Sequence, residues 1–184
     1  ATGDRSIEEF LRVLEAHPHV AAAPHYVVHA DLATPAQIER MRAVGAGFAV
    51  QPLIAEHTRA WAGTQLGPER TAAAWPLHAM IDSGALTTIT SDAPIATPDW
   101  RIGLDASLAL LGRDDAETRD ALLRRITLDP ARQDGASAWK GSLEVGKVAD
   151  LTVLDEDPAE PGRPVAGIGV ARTIVDGRTV FARG

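Results

Sequence analysis

The chain has 184 residues, which is enough for one domain with a substantial hydrophobic core. Its formal net charge of -7 argues against electrostatic binding of nucleic acid, and no apolar run reaches the roughly 20 residues that a membrane-spanning helix needs. Because the sequence contains no cysteine, any metal must be held by His, Asp or Glu. We expect a soluble, cytoplasmic protein that binds neither nucleic acid nor a membrane.

The first part of the chain predicts alternating helices and strands. An amphipathic helix opens it, with Ser6 and Glu9 at the spacing of a capping box. The segment HYVVHADLA then predicts a short β-branched strand that ends at His29. The next segment predicts a helix that Thr34 and Gln37 can cap.

Two further strands follow, GFAVQPLI and LTTIT. Between them the sequence predicts a polar stretch, a loop at LGPER that contains Arg70, and a helix over 72–83. Strands that alternate with helices pair in parallel, so we expect an α/β sheet or barrel. Asp92 lies just beyond LTTIT, in a turn braced by Ser91 and Pro94. Such folds place catalytic residues at the carboxyl ends of their strands, although an Asp that only closes a strand is the alternative.

The pattern changes after this turn. Residues 101–138 predict helices, and β patterning follows. Asp176 and Gly177 join two apolar segments and form a strong hairpin signal. We therefore expect one domain over residues 1–138 and a small antiparallel β portion over residues 139–184.

The histidines divide by position. His17 and His19 form an HxH pair, but they follow a helix and not a strand, so we expect them in an exposed loop away from the catalytic edge. His25 and His29 lie four residues apart on one strand, about 13 Å, and cannot share an ion. Only His29 reaches the catalytic end, and a single histidine there is either structural or a ligand.

Three segments, taken in order, carry a family resemblance: VVHADLATPAQIERMRAVGAGFAVQP, SGALTTITSDAPI and KGSLEVGKVADLTVLDEDP. Together with ATGDRSI, LGPER and TIVDGRTV they resemble the amidohydrolase superfamily of metal-dependent hydrolases, in particular the YtcJ-like branch that includes N-substituted formamide deformylase. The resemblance covers nearly the whole chain. It implies the C-terminal part of a (β/α)8 TIM-type barrel, strands 6 to 8, followed by part of an antiparallel β-sandwich.

The resemblance also implies the site residues. His29 would end strand 6 and bind metal, and Asp92, after strand 8, would bind metal and act as the catalytic acid and base. The implied cofactor is one or two divalent ions, usually zinc. Arg70, Gln51 and Ser91 are candidates for contact with the substrate, with ordinary surface or loop roles as the alternative.

The function implied is hydrolysis of a non-peptide C–N bond, of the amide type, in a small-molecule substrate through a metal-activated water. Ester or phosphoester hydrolysis on the same scaffold is one alternative, and a non-catalytic remnant or interaction fragment is another. The family motif His-Ala-x-Gly-Asp would begin one residue before Ala1. We therefore expect the chain to be a segment of a longer or divided protein, with the N-terminal barrel segment of the same protein as its partner. A homo-oligomer is also compatible with the sequence.

Overall fold

Helices and strands alternate along the first half of the chain. The computed structural model describes residues 1–21 and 24–184. From the start, the elements are α1 (Asp4–Ala16), α2 (Pro18–Ala21), β1 (Tyr26–Val28), α3 (Pro35–Ala43), β2 (Gly47–Val50), α4 (Pro52–Ala72), α5 (Leu77–Ser83) and β3 (Thr87–Ile89). After β3 follow α6 (Trp100–Leu111), α7 (Ala116–Ile126), α8 (Leu128–Gln133), β4 (Leu151–Leu154), a 3₁₀ turn (Val165–Gly167), β5 (Val170–Val175) and β6 (Arg178–Ala182).

The first three strands form a parallel sheet in the order β1-β2-β3. All four residues of the central strand β2 are buried, as expected for a parallel strand that is covered on both faces. Because the strands are parallel, their carboxyl ends lie at one edge of the sheet, which is hereafter called the carboxyl edge. The predicted α/β sheet is confirmed.

The start of α3 follows from its capping box. The Thr34 hydroxyl accepts a hydrogen bond from the Gln37 backbone N–H, and the Gln37 side chain accepts one from the Thr34 N–H, as the sequence predicts. The corresponding prediction for α1 is wrong. That helix begins at Asp4, so Ser6 already lies within the first turn and does not cap it.

The segment LGPER is helical, which corrects the predicted loop. It lies inside α4, whose only non-helical residue is Gly67, with φ 76°. Pro68 follows directly and lacks a backbone N–H, so the helix breaks there and restarts with proline in its new first turn. The Gly-Pro pair therefore kinks the helix and does not open a loop.

The first histidine pair is exposed, as predicted. His17 follows α1 and His19 lies in the single turn of α2, with their ring centroids 5.8 Å apart. The predicted loop is a short helix, because Pro18 starts a helical turn between the two rings. His25 lies just before β1, where its Nε2 is 2.8 Å from the Val20 carbonyl oxygen, at the opposite end of the strand from the carboxyl edge.

The hydrophobic core lies between the parallel sheet and the helices that cover it. Burial of one large aliphatic side chain there contributes about 1.5–3 kcal/mol. The core takes side chains from α1, α3, β2, α5, α6 and α7, and two from the segment after β4; among the most buried are Ile7, Leu11, Ile38, Phe48, Met80, Leu104, Leu122, Val165 and Ile168.

Polar contacts join the segment after β4 to the helices. The Asp105 carboxylate on α6 accepts hydrogen bonds from the backbone N–H groups of Val165 and Ala166, at 2.7 and 2.9 Å. Arg119 on α7 is almost completely buried and donates to the carbonyl oxygens of Pro158 and Arg163. The boundary between residues 138 and 139 stays a prediction.

The last three strands form an antiparallel sheet in the order β4-β5-β6. Asp176 and Gly177 make the β5–β6 turn with φ 49° and 73°, as a tight hairpin with two left-handed residues requires. The predicted hairpin and the antiparallel β tail are confirmed. Within the part of the chain that the structure describes, no helix has the length and apolar character needed to cross a membrane.

Candidate active site at the carboxyl edge of the parallel sheet

Three polar side chains meet at the carboxyl edge, one from the end of each parallel strand. His29 follows β1, Gln51 follows β2 and Thr90 follows β3. The His29 Nδ1 lies 2.9 Å from the Gln51 Oε1. The Gln51 Nε2 donates to the Thr90 hydroxyl at 2.6 Å and to the Ala49 carbonyl at 3.1 Å. A row of side-chain hydrogen bonds therefore links the three strand ends, and the His29 Nε2 takes no part in it.

Asp92 lies in the turn that follows β3. The Ser91 hydroxyl accepts a hydrogen bond from the Ala93 N–H, and the Asp92 carbonyl accepts one from the Ile95 N–H at 2.9 Å. Ser91 thus braces the turn, and Asp92 is a half-buried residue at the same edge of the sheet as His29.

Left-handed backbone conformations concentrate near this edge. Non-glycine residues adopt this region reluctantly, at a cost of about 1–3 kcal/mol each, and they cluster at active sites and ligand clamps. Within ranges 1–21 and 24–184, five non-glycine residues have a positive φ. His29 and Ala30 follow β1, Asp92 follows β3, and Trp75 borders a small pocket beside His29. The fifth, Asp176, lies in the hairpin of the β tail. Since His29 and Asp92 share this strain, the backbone itself points to the carboxyl edge as a functional site.

A small pocket adjoins His29. Asp31, Gln51 and Trp75 contribute its polar groups, and its apolar wall comes from β2, α5 and α6. Its volume is about 10 Å³, which is about the space that one water molecule needs. The indole Nε1 of Trp75 is buried without a hydrogen-bond partner among the described residues.

Asp31 is a site residue that the sequence analysis missed. Burial raises the pKa of its carboxyl above the ordinary value of 3.8, although the charges of His29 and the chain's amino terminus lower it in part. The backbone carbonyl of Asp31 also accepts a hydrogen bond from the Trp75 N–H at 2.6 Å. Its position two residues beyond the strand end was the signal that could have identified it.

Arg70 lies apart from His29. Its guanidinium donates to the Asp4 carboxylate at 3.2 Å, and this bond lowers the pKa of the Asp4 carboxyl. Both residues line a larger cleft of about 550 Å³, which shares Trp75 with the small pocket. The two pockets therefore adjoin, and a role for Arg70 in substrate contact stays a prediction.

The first residues of the chain lie beside β1. The amino group of Ala1 donates to the Val28 carbonyl at 2.8 Å, and the Ala1 carbonyl accepts from the Ala30 N–H at 3.0 Å. The neighbouring residue His29 instead donates its backbone N–H to β2. Since backbone groups alternate in direction along a strand, Ala1 lies on the side of β1 opposite to β2.

Comparison with known proteins decides the family of the chain. The sequence profile described as the amidohydrolase family matches residues 1–181. The chain belongs to the amidohydrolase family. The family predicted from the sequence motifs is thereby confirmed.

Two curated relatives are similar to this amidohydrolase chain. N-substituted formamide deformylase from Arthrobacter pascens is 32% identical, over 84% of the chain and 30% of the relative. The putative amidohydrolase YtcJ from Bacillus subtilis (strain 168) is 24% identical, over 100% of the chain and 37% of the relative. The chain therefore spans about a third of the length of these relatives.

Solved structures give the same result for the fold. A metal-dependent hydrolase from Pyrococcus furiosus matches with a TM-score of 0.73 and 25% identity, over 87% of this chain and 33% of that one. A metal-dependent hydrolase from Pyrococcus horikoshii OT3 matches with a TM-score of 0.74 and 26% identity, over 91% of this chain and 35% of that one. The α/β fold of the chain is thus that of metal-dependent hydrolases of the amidohydrolase, TIM-barrel superfamily.

The donors at the carboxyl edge fit a divalent ion of the zinc type, which takes imidazole nitrogen and carboxylate oxygen as ligands. His29 and Asp92 follow β1 and β3, which are two strand spacings or about 10 Å apart, with β2 between them. Within the described ranges, no group of three or more His, Asp or Glu side chains could hold a metal. This amidohydrolase chain therefore supplies two candidate ligands, and an ion there needs additional donors.

Four of the five predicted site residues lie at the carboxyl edge, and the fifth borders the adjoining cleft. His29 and Gln51 contact each other directly, while Ser91 shapes the turn that carries Asp92. Their chemical roles stay predictions, and the strands that carry His29, Gln51 and Asp92 end side by side in the order β1-β2-β3.

Proposed function

We propose that the chain is the C-terminal portion of an amidohydrolase whose complete form hydrolyses a non-peptide C–N bond in a small molecule. In this assignment β1, β2 and β3 are strands 6 to 8 of the (β/α)8 barrel, within a domain over residues 1–138. Residues 139–184 are part of an antiparallel β-sandwich. The observation that carries the proposal is the presence of His29 and Asp92, both on left-handed backbone, at one edge of the parallel sheet.

The metal would be held by the two donors of this edge, His29 through Nε2 and Asp92 through its carboxylate. One or two divalent ions, zinc being the type that the donors fit, would supply a bound water whose pKa falls to about 7. The remaining ligands would come from the N-terminal barrel segment.

Asp92 would then move the proton. Its carboxylate accepts a proton from the attacking water as the new C–O bond forms at the carbonyl carbon. It donates that proton to the nitrogen as the C–N bond breaks, so that an amine leaves and a carboxylic acid remains. General base and general acid catalysis by one group is sufficient for this sequence.

The substrate class rests on the relatives. One curated relative is named for N-substituted formamides, and it is 32% identical to this chain. An amide-type substrate is therefore the candidate that the comparison supports best.

The proposed partner of this chain is the N-terminal barrel segment of the same protein. Ala1 already pairs with the free side of β1, where strand 5 of a barrel would lie. The β tail leaves Val175, Val180 and Phe181 exposed, as expected for strands that other parts of a sandwich would cover. The first feature supports a closed barrel in the complete protein, and the second supports a sandwich completed by other strands.

The test is Asp92→Asn in the complete protein, assayed on N-substituted formamides, acylated amino acids and aryl esters. Loss of the proton-transfer group should lower kcat by about 10²- to 10⁴-fold on the amide substrates, with zinc still bound at least in part. Asp176→Asn is the matched control, since Asp176 also has a positive φ but lies in the distant hairpin. Near-wild-type turnover of Asp92→Asn, or an equal loss in Asp176→Asn, would overturn the assignment.

A further inference from the structure

The orientation of the Gln51 amide follows from its neighbours. The Ala49 carbonyl oxygen can only accept a hydrogen bond, so the group 3.1 Å from it must be the amide nitrogen Nε2. The second hydrogen of Nε2 points to the Thr90 hydroxyl at 2.6 Å. The amide oxygen Oε1 is then the atom that faces His29.

This orientation determines which nitrogen of His29 carries the proton. Oε1 has no hydrogen to give, so the His29 Nδ1 at 2.9 Å must donate to it. A neutral imidazole has one N–H, and Nε2 therefore carries the lone pair. We propose that Gln51 is a positioning residue that holds His29 as the Nδ1–H tautomer and presents its Nε2 at the carboxyl edge.

Direct contact of Gln51 with a substrate is the competing role. The side chain is only 6% exposed, and both of its N–H groups already bind protein acceptors. A substrate could use Gln51 as a donor only by breaking its bond to Ala49 or to Thr90. The residue therefore acts through His29.

The strain at His29 explains why such a residue is needed. With φ 73° the backbone leaves the strand direction immediately after β1, and the ring needs an anchor of its own to keep its direction. Gln51, which follows β2, provides this contact through its hydrogen bond to the His29 Nδ1. Gln51 is in turn hydrogen-bonded to Thr90, which follows β3 and lies two residues before Asp92. The side-chain hydrogen bonds therefore extend from His29 to the strand end that precedes Asp92.

Ligand histidines in metal sites commonly donate their second N–H to a fixed acceptor, and loss of that acceptor costs about 10- to 100-fold in metal affinity or activity. This consequence for metal rests on the proposed function. The tautomer of His29 does not, so the two can be tested separately.

The experiment uses the full protein with ¹⁵N-labelled histidine, prepared free of metal, at a pH where histidine is neutral. Long-range ¹H–¹⁵N correlation distinguishes the two tautomers of each ring, and His29→Gln identifies the signal. The wild type should show His29 protonated at Nδ1. Gln51→Met, which keeps the length of the side chain and removes the acceptor, should give a mixed or Nε2–H pattern.

Gln51→Glu restores the acceptor alone: one carboxylate oxygen still accepts from Nδ1 and should keep the Nδ1 proton, while the oxygen that replaces Nε2 loses the bond to the Ala49 carbonyl. Gln133→Met is the matched control, since Gln133 accepts a hydrogen bond from Thr88 of β3 and has no bond to His29. Gln133→Met should leave the His29 tautomer unchanged, which shows that the change in Gln51→Met comes from loss of the acceptor for Nδ1 and not from loss of a glutamine near the sheet.

A wild-type ring protonated at Nε2, or an unchanged His29 pattern in Gln51→Met, overturns the proposal. Zinc titration of the same proteins gives the second readout, with affinity expected to fall about 10- to 100-fold in Gln51→Met and to be retained in Gln51→Glu. A changed tautomer with unchanged zinc affinity supports the action of Gln51 on the ring and contradicts the ligand role of His29.

Discussion

Arg119 is the strongest polar link between the helices and the β tail. Its side chain is 1% exposed, and its guanidinium donates to the Asp114 carboxylate at 2.5 and 3.1 Å. It also donates to the carbonyl oxygens of Pro158 and Arg163, at 3.2 and 2.6 Å. Replacement by Met keeps much of the apolar volume and removes every donor at once.

The cost of Arg119→Met can be worked from these contacts. Two part-buried carbonyl groups lose their partner, at about 1 kcal/mol or more each, and packing around the guanidinium is lost as well. The Asp114 carboxylate is 40% exposed and is hydrated once its partner is removed, so the lost ion pair itself adds little to this cost. We expect Arg119→Met to lower the free energy of unfolding by about 3 kcal/mol, which corresponds to a fall in Tm of roughly 6–12 °C.

Urea denaturation followed by circular dichroism measures this change, with the m-value as a check that unfolding stays cooperative. Arg124→Met on the exposed face of the same helix is the control and should change the stability by less than about 0.5 kcal/mol. A loss below about 1 kcal/mol for Arg119→Met would refute the reasoning, because the buried guanidinium would then not join the two parts.

Two further predictions concern the ligand assignment and the pH dependence of stability. In the complete protein, His29→Ala should weaken zinc binding by about tenfold or more, whereas His25→Ala, at the other end of β1, should leave it unchanged; equal effects in a zinc titration would contradict the assignment. The hydrogen bonds from Arg101 hold the pKa of the Asp99 carboxyl below its ordinary value of 3.8. That stabilisation is complete above about pH 4 and is lost as the pH falls through the lowered pKa. Asp99→Asn should therefore show a smaller fall of Tm between pH 5 and pH 3 than the wild type, and identical profiles would contradict this reasoning.

Features set by neighbouring residues could be predicted from the sequence. The capping box of Thr34 and Gln37 and the hairpin at Asp176 and Gly177 both depend on contacts within four positions, and both are confirmed. The parallel strands followed from apolar segments that alternate with helices. Their common carboxyl edge then placed His29 and Asp92 on one surface.

Other features depend on packing that spacing does not encode. α1 begins at Asp4, directly after its N-cap residue Gly3, so the Ser6–Glu9 spacing does not mark the start of the helix. The side-chain bonds of Gln51 reach His29 and Thr90, which are 22 and 39 positions away along the chain. Only the assembled strand ends reveal that contact.

Anomalous diffraction at the zinc absorption edge, from crystals of the complete protein grown with zinc, locates the ion and its ligands directly. If His29 and Asp92 are ligands, a peak lies at the carboxyl edge, about 2.0–2.2 Å from the His29 Nε2 and from an Asp92 carboxylate oxygen. A bound zinc that neither residue contacts, or one held through the His29 Nδ1, would contradict this assignment.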